Sequence, residues 1–169
     1  WGGLKMFETM RKTQPDFLIH LGDRIYSDSP ILERASTPDG SSWRNIVTPA
    51  KSEIAETVEQ YRGNYSYNFL DTHYRKFCEE VPALTTWDDH EVTNNWNPET
   101  IDPQRLADAK QAWFETLPND QGDDDQLWFS YTWGATAEFF VLDSRGERLP
   151  STRNSSDPIY MSPEQLTWL

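Results

Sequence analysis

FLIHLGDRIY, residues Phe17–Tyr26, is the stretch from which we predict the fold. Its first half is mostly large and apolar, and it is too short for a helix, so it indicates a buried β-strand. The strand ends at Gly22-Asp23, where glycine permits a sharp turn. A carboxylate directly after a strand is typical of the sheet edge at which α/β proteins bind ligands. Taken alone, however, the pattern also fits a strand followed by a polar turn.

The composition predicts one acidic, globular domain with an aromatic core. Hydrophobic residues make up only 36% of the 169 residues, but eight Trp, seven Tyr and eight Phe supply buried area. The net charge of −13 argues against a nucleic-acid-binding surface, and it would repel a phosphorylated substrate unless cations reversed the local field. No apolar run approaches the roughly 18 residues of a membrane span. The oligomeric state is left open.

Apolar spacing predicts helices that alternate with strands, as expected of an α/β fold with parallel pairing. Residues 27–50 are rich in Ser, Pro, Thr, Asp and Gly, and we expect a long surface loop there. We expect Gly63-Asn64 to weaken or break one helix, and the hairpin around Gly134 to be buried because both of its faces carry large residues. The predicted helices cover residues 4–12, 54–65, 70–80 and 103–117, and a further helix opens at a capping box at residues 162–165. The predicted strands cover 17–21, 83–86, 127–133 and 137–142.

A second polar cluster, WDDHEVTNN at residues 87–95, follows the strand at 83–86. Carboxylates this close repel one another unless one is protonated or a cation lies between them. Because carboxylate and amide oxygens are ligands of hard cations, the cluster suggests a metal site, although a solvated turn with a capping histidine is an alternative. We expect His20 to be a core histidine with satisfied hydrogen bonds, and the aspartates at 123–125 to lie in a solvated loop.

The chain resembles the PhoD-like alkaline phosphatases, a branch of the metal-dependent phosphoesterases with a calcineurin-like fold. The resemblance extends over nearly the whole chain and implies that residues 1–169 are the central part of a single catalytic domain, a partial four-layer α/β/β/α sandwich. The residues that carry the resemblance are 15–17, Gly22–Tyr26, Trp87–Glu91, Asn94-Asn95, Leu142–Arg145, Arg148, Gln165 and Trp168-Leu169.

This resemblance implies a binuclear metal site with Fe³⁺ and Ca²⁺. Asp23 would bridge both metals, and Tyr26 would bind the trivalent metal as a phenolate. Asn94 would serve the second metal, but Asp89 matches the position of the amide ligand in the wider superfamily, so the two residues compete for that role.

The implied activity is hydrolysis of small phosphate mono- or diesters by a hydroxide that two metals activate, in a secreted or periplasmic protein. His90 would stabilise charge or protonate the leaving oxygen. Arg145 is a candidate phosphate clamp, and its alternative is a salt bridge to Asp143 or Glu147.

The chain also departs from the family pattern. It has no counterpart of the family's opening strand with its early metal ligand, or of the late Gly-Asp-x-His-type segment, so we expect little or no turnover from these 169 residues alone. Two readings without catalysis remain as alternatives. One is an acidic, Trp-rich module that binds carbohydrate through exposed Trp43 and Trp96; the other is a structural domain stabilised by calcium.

Overall fold

The structure is a computed structural model, and it describes residues 3–117 and 126–169. It is a mixed α/β fold with small two-stranded sheets. The predicted loop at 123–125 lies outside the described residues. The elements in chain order are α1 (Lys5–Lys12), β1 (Leu18–Leu21), β2 (Arg34–Ser36), β3 (Ser42–Arg44), α2 (Pro49–Ser52), α3 (Val58–Asn68), α4 (Thr72–Glu80), β4 (Ala83–Thr86), α5 (Pro103–Thr116), β5 (Phe129–Trp133), β6 (Ala137–Val141), a short 3-10 helix (Pro150–Thr152) and α6 (Pro163–Trp168).

The parallel pair β1–β4 positions the predicted site. Leu18 pairs with Ala83 and Leu21 with Thr86, so both strands end at the same edge of the sheet. At that edge Gly22 has φ +102°, and a Cβ built there would lie 2.6 Å from the Cβ of Asp88. Only glycine allows the chain to turn at such close range. The two polar clusters of the sequence therefore lie next to each other.

The prediction that β1 is buried is wrong for one of its faces. Leu18 and His20 are half-buried and face a cavity lined by α4 and the end of α5. Ile19 is 45% exposed and Leu21 is 77% exposed. These two side chains border a groove of about 250 Å³ between the sheet and β6. Because side chains alternate along a strand, a pattern that is apolar throughout does not show which face is covered.

The hydrophobic core lies between α3, α5 and the loop after β4, and it is aromatic as the composition predicts. The indoles of Trp87 and Trp96 meet edge to face with their ring centroids 5.2 Å apart, and Trp113 lies 6.0 Å from Trp87. The buried cluster consists of Ile25, Ala55, Tyr61, Tyr65, Trp87, Val92, Trp96, Ala109, Ala112, Trp113, Phe114, Leu117 and Leu127.

Helix α3 runs without interruption through Gly63-Asn64, so the expectation of a break there is wrong. A Cβ on Gly63 would lie 2.3 Å from the Cβ of Ala50, which means that the glycine lets α2 pack directly on α3. The Asn64 amide donates to the carbonyls of Ala50 and Gln60, so its polar group joins the two helices. Tertiary packing outweighs the low helix propensity of both residues.

The segment 27–50 is not the unstructured loop that its composition suggests. It contains the antiparallel pair β2–β3 and leads into α2. Lys51, on α2, donates from Nζ to the carbonyls of Tyr26 at 2.6 Å and Ser29 at 3.1 Å. These bonds fix the loop that follows β1, where two of the predicted site residues lie.

The β5–β6 hairpin forms at Gly134 as predicted, but it is not buried. Tyr131, Trp133 and Phe140 are all exposed by more than a third of their surface. The Thr86 hydroxyl donates to the Leu142 carbonyl at 3.1 Å, and this bond connects the hairpin with the end of β4. Among the described helices, none combines the length and apolar character that a bilayer crossing requires.

Candidate metal centre

Asp23 is the first residue after Gly22, and its backbone has a left-handed φ of 55°. This conformation is uncommon outside glycine, although short polar residues such as aspartate tolerate it. One carboxylate oxygen, Oδ2, accepts a hydrogen bond from the Tyr26 hydroxyl at 3.1 Å. The other, Oδ1, is buried and has no hydrogen-bond partner among the described residues. A buried oxygen without a partner is costly, and a cation would satisfy it.

The loop after β4 brings two further donors to Asp23. Donor atoms of Asp23, Asp89 and His90 all lie within 4.8 Å of one another. Asp89 is buried and accepts a hydrogen bond from the backbone N–H of Asn95 at 2.7 Å. Asn94 is exposed, and its side chain makes no hydrogen bond within the described part of the chain. The two carboxylates, one of them with an unpartnered oxygen, fit a hard cation, and the imidazole of His90 lies beside them.

The charges around this cluster keep Asp89 ionised and Tyr26 protonated. Burial raises the pKa of Asp89, but the Asn95 hydrogen bond and the positive charges of Arg145 and His90 outweigh it, so the pKa is lowered. For Tyr26, burial, the hydrogen bond to Asp23 and the neighbouring carboxylates all raise the pKa. A cation that takes Tyr26 as a ligand must therefore displace the phenol proton.

His90 is oriented by a carboxylate that the sequence analysis did not assign, Asp28. The Nδ1 of His90 lies 2.7 Å from Oδ1 of Asp28, and its Nε2 lies 3.9 Å from Oδ1 of Asp89. The Tyr26 ring packs on the imidazole with centroids 4.3 Å apart. Burial lowers the pKa of His90, but the hydrogen bond to Asp28 and the charges of Asp28, Asp89 and Asp23 raise it overall. The ring is therefore fixed at Nδ1 and presents Nε2 to the cluster.

Arg145 reaches the same cluster, although its partner is not one of those expected. Its guanidinium pairs with Asp88, with Nε 2.8 Å from Oδ1, and Nη2 lies 4.0 Å from Asp89. Asp143, one of the partners expected for Arg145, is buried instead and accepts from the Trp87 indole at 2.9 Å and the Gly146 N–H at 2.7 Å. Burial raises the pKa of Asp143. This carboxylate shapes the turn that carries Arg145 and lies outside the donor cluster.

Glu91 joins the two loops of the cluster. It is 1% exposed, and its carboxylate accepts from the backbone N–H of Arg24 through one oxygen and from that of Asp88, at 3.0 Å, through the other. Burial raises the pKa of Glu91, and these backbone bonds oppose that shift. Because Arg24 follows Asp23 and Asp88 precedes Asp89, Glu91 determines how far apart the two metal-ligand candidates lie.

Sequence reasoning missed Asp28, Asp88 and Glu91 as functional groups because their partners lie in the other loop or after a later strand. The sequence did contain one signal, since Asp88 and Glu91 lie within the cluster at 87–95 and Asp28 lies two residues after Tyr26 on the loop that follows the first strand. The core assignment of His20 is wrong in one respect, since its Nδ1 is buried without a hydrogen-bond partner among the described residues. Burial and Arg24 lower the pKa of His20.

The reading as a carbohydrate-binding module is not favoured. One of its two stacking platforms, Trp96, is only 3% exposed and belongs to the core. The other, Trp43, is 45% exposed, and its indole donates to Asn45, two residues away. A single exposed ring on a short hairpin does not form a sugar-binding cleft.

Comparisons with known proteins identify the family of this chain. The sequence matches the PhoD-like phosphatase family over residues 1–169. It is similar to alkaline phosphatase D of Bacillus subtilis (strain 168), with 31% identity over 166 residues that cover 89% of this chain and 27% of that protein. It is also similar to a solved structure of PhoD, with a TM-score of 0.72 and 27% identity over 96% of this chain and 34% of that chain. The chain thus spans about a third or less of the length of these relatives.

Proposed function

This chain belongs to the PhoD-like phosphatase family, and from that membership we propose that it provides part of the metal centre of an enzyme that hydrolyses phosphate esters. The observation that carries the proposal is the convergence of Asp23, Asp89 and His90 at one sheet edge, with one Asp23 oxygen buried and unpartnered. Carboxylates from separate strands are held this close when a cation offsets their repulsion.

We assign Asp23 as the ligand shared by two metals, Fe³⁺ and Ca²⁺, and Tyr26 as the ligand of the iron. Asp89 is the stronger candidate for the second metal, because it lies in the donor cluster while Asn94 is exposed. When bound, such a pair of cations supplies an activated water and neutralises charge on the phosphate oxygens. The cations also reverse the field that a net charge of −13 would otherwise present to a phosphate ester.

The chain's own residues would position the ester and supply a proton. His90 would donate from Nε2 to the leaving oxygen, and its protonated form is favoured by Asp28 at Nδ1. Arg145 would bind phosphate oxygens through its planar guanidinium once they compete with Asp88 for it. The substrate class we propose is a small-molecule phosphate mono- or diester.

We further propose that residues 1–169 form the central part of a single calcineurin-like domain with a four-layer α/β/β/α sandwich. The support is that residues of β1 and β4 line a cavity together with α4 and the end of α5, and a separate groove together with β6. The family resemblance also leads us to propose a secreted or periplasmic location.

Metal binding by the purified chain tests the assignment of Asp23. Ca²⁺ binding is titrated by calorimetry, and Fe³⁺ binding is followed by visible absorption. Loss of a residue that only orients a metal ligand lowers metal affinity by about 10–100-fold. Asp23 is proposed as a direct ligand, so we expect Asp23→Asn to lower both affinities by at least about 100-fold. Tyr26→Phe should remove the visible band of an iron–phenolate bond. The control is Asp16→Asn, which alters an exposed carboxylate just before β1 and should leave both titrations unchanged.

Hydrolysis of 4-nitrophenyl phosphate and bis(4-nitrophenyl) phosphate is then measured on the full-length protein. We expect activity that depends on both metals and that is lost in Asp23→Asn. Equal affinity of Asp23→Asn and the unaltered chain for both metals would refute the assignment of the centre. Undiminished turnover after both metals are removed would refute the proposed reaction.

A further inference from the structure

A second cavity lies beside the candidate metal centre, with a volume of about 500 Å³. We call it the arginine cavity, and its polar side chains are those of Asn95, Asn97, Arg148, Arg153 and Tyr160. We propose that the arginine cavity is a second anion-binding subsite, which holds a phosphate or carboxylate group carried on the alcohol part of the ester. This inference rests on the proposed function for the ester bond, but binding to the cavity can be tested without hydrolysis.

The cavity adjoins the metal centre through two of its lining residues. The backbone N–H of Asn95 donates to the Asp89 carboxylate at 2.7 Å, so the loop that borders the cavity also holds a metal-ligand candidate. The pKa of Arg148 is lowered by burial and by the charge of Arg145, and Asp88 and Asp89 oppose this shift. The contact of Arg148 lies on the same loop, because its Nη2 donates to the carbonyl of Trp96, the residue after Asn95. A substrate whose scissile phosphate binds at the centre can extend into the cavity.

Neither arginine of the cavity forms a salt bridge with a carboxylate of residues 3–117 or 126–169. Arg148 donates from Nη2 to the Trp96 carbonyl at 3.2 Å, while its Nε is buried with no hydrogen-bond partner among the described residues. Arg153 pairs with no carboxylate in the part of the chain that the structure describes. By contrast, Arg11 and Arg62 each pair with two glutamates. A guanidinium left without a partner can bind an oxyanion through parallel N–H bonds.

The remaining lining favours an anionic group on an organic substrate. No described Asp or Glu lines the cavity, although the chain has 28 acidic residues. Glu99 comes near this segment, but its carboxylate accepts the Ser151 N–H at 2.8 Å and does not line the cavity. Leu149 and Ile159 provide an apolar wall against which a carbon chain can lie. A volume of this size is in the range of small-molecule sites.

The first experiment measures binding to the protein without metals. Propane-1,3-diyl bisphosphate and 3-carboxypropyl phosphate are titrated by calorimetry, so that the two arms distinguish a phosphate from a carboxylate in the cavity. We expect Arg153→Gln and Arg148→Gln each to weaken binding of at least one probe about tenfold or more, because each removes charge-assisted hydrogen bonds to the anion. Arg153 is exposed, so its variant keeps the test valid if Arg148→Gln fails to fold.

Two variants serve as comparisons. Arg34→Gln removes the same charge from an exposed position on β2 that does not line the cavity, and it should leave binding unchanged. Arg145→Gln tests whether the probes bind at the candidate phosphate clamp instead. Binding that is lost in Arg145→Gln but unchanged in Arg153→Gln would overturn the subsite, and so would equal losses in Arg153→Gln and Arg34→Gln.

The second experiment compares the full-length, metal-loaded protein on propane-1,3-diyl bisphosphate, 3-carboxypropyl phosphate and propyl phosphate. We expect a lower KM for at least one of the two doubly anionic esters, by about tenfold, and loss of this preference in Arg153→Gln. Equal KM values for all three esters would overturn the subsite. If none of them is hydrolysed but Arg153→Gln still weakens binding, the proposed function fails and the anion subsite stands.

Discussion

Replacing Glu91 by glutamine should both destabilise the protein and weaken its metal centre. Glu91 is 1% exposed and accepts backbone N–H groups from both site loops, those of Arg24 and Asp88. Glutamine has the same shape, but its amide can accept only one of these bonds and turns an NH₂ group toward the other N–H. The substitution therefore leaves one buried backbone donor without an acceptor.

The size of the effect follows from these two bonds. A buried donor without a partner costs about 1–3 kcal/mol, and the bond that remains loses the contribution of a charged acceptor. Neutral glutamine avoids the cost of burying a charge, which is the cause of the raised pKa of Glu91 and which offsets part of this loss. We expect a net decrease of about 2 kcal/mol in the free energy of unfolding, which lowers Tm by about 4–8 °C in a chain of this length.

Urea and thermal denaturation of the metal-free protein measure this change, and calcium titration measures its consequence for the centre. Because Glu91 positions the loops that carry Asp23 and Asp89, the calcium affinity should fall by about 10–100-fold. Glu138→Gln is the matched control, since Glu138 is exposed on β6 and its substitution should change stability by less than about 0.5 kcal/mol. If Glu91→Gln is as stable as the control and binds calcium as tightly as the unaltered protein, Glu91 does not hold the loops together.

Three further substitutions test other contacts. Asp28→Asn should lower the pKa of His90, measured by NMR in the metal-free protein. Because Asp28 raises that pKa, its interaction with protonated His90 stabilises the fold fully below the unfolded pKa of about 6.5, and this stabilisation is lost as pH rises through the folded pKa. The free energy of unfolding of the variant should therefore fall by about 1.5–3 kcal/mol at about pH 5.5 and by less at about pH 8.5. An equal loss at both pH values would contradict this coupling. Gly63→Ala should lose about 1–2 kcal/mol in urea denaturation despite the better helix propensity of alanine, because its Cβ overlaps α2, and a gain in stability would contradict the packing. Asp88→Ala should free Arg145 and tighten competitive inhibition by inorganic phosphate up to about fivefold, since the pair is partly exposed; weaker inhibition would mean that Asp88 holds Arg145 in its phosphate-binding position.

Part of the fold could be predicted because it depends on local sequence. The strands at 18–21 and 83–86 are short apolar or β-branched runs, and α5 begins at Pro103, the first residue predicted for it, with Asp102 accepting the Arg105 N–H at 2.9 Å. The pair β2–β3 was missed because its strands, RAS and SWR, have no alternating apolar pattern. Their pairing depends on hydrogen bonds between segments, and composition does not report such bonds.

The sequence by itself determined which groups are available at the site. Asp23, Asp89 and His90 follow two strands, and parallel pairing requires that the ends of those strands lie at one edge. Only the tertiary structure decided how these groups interact. In the folded chain His90 is hydrogen-bonded to Asp28, Arg145 pairs with Asp88, and Asp143 is buried and accepts a hydrogen bond from Trp87. The physical reason is that short-range patterns fix backbone geometry, whereas hydrogen-bond partners and burial depend on segments that are distant in sequence and meet only in the folded chain.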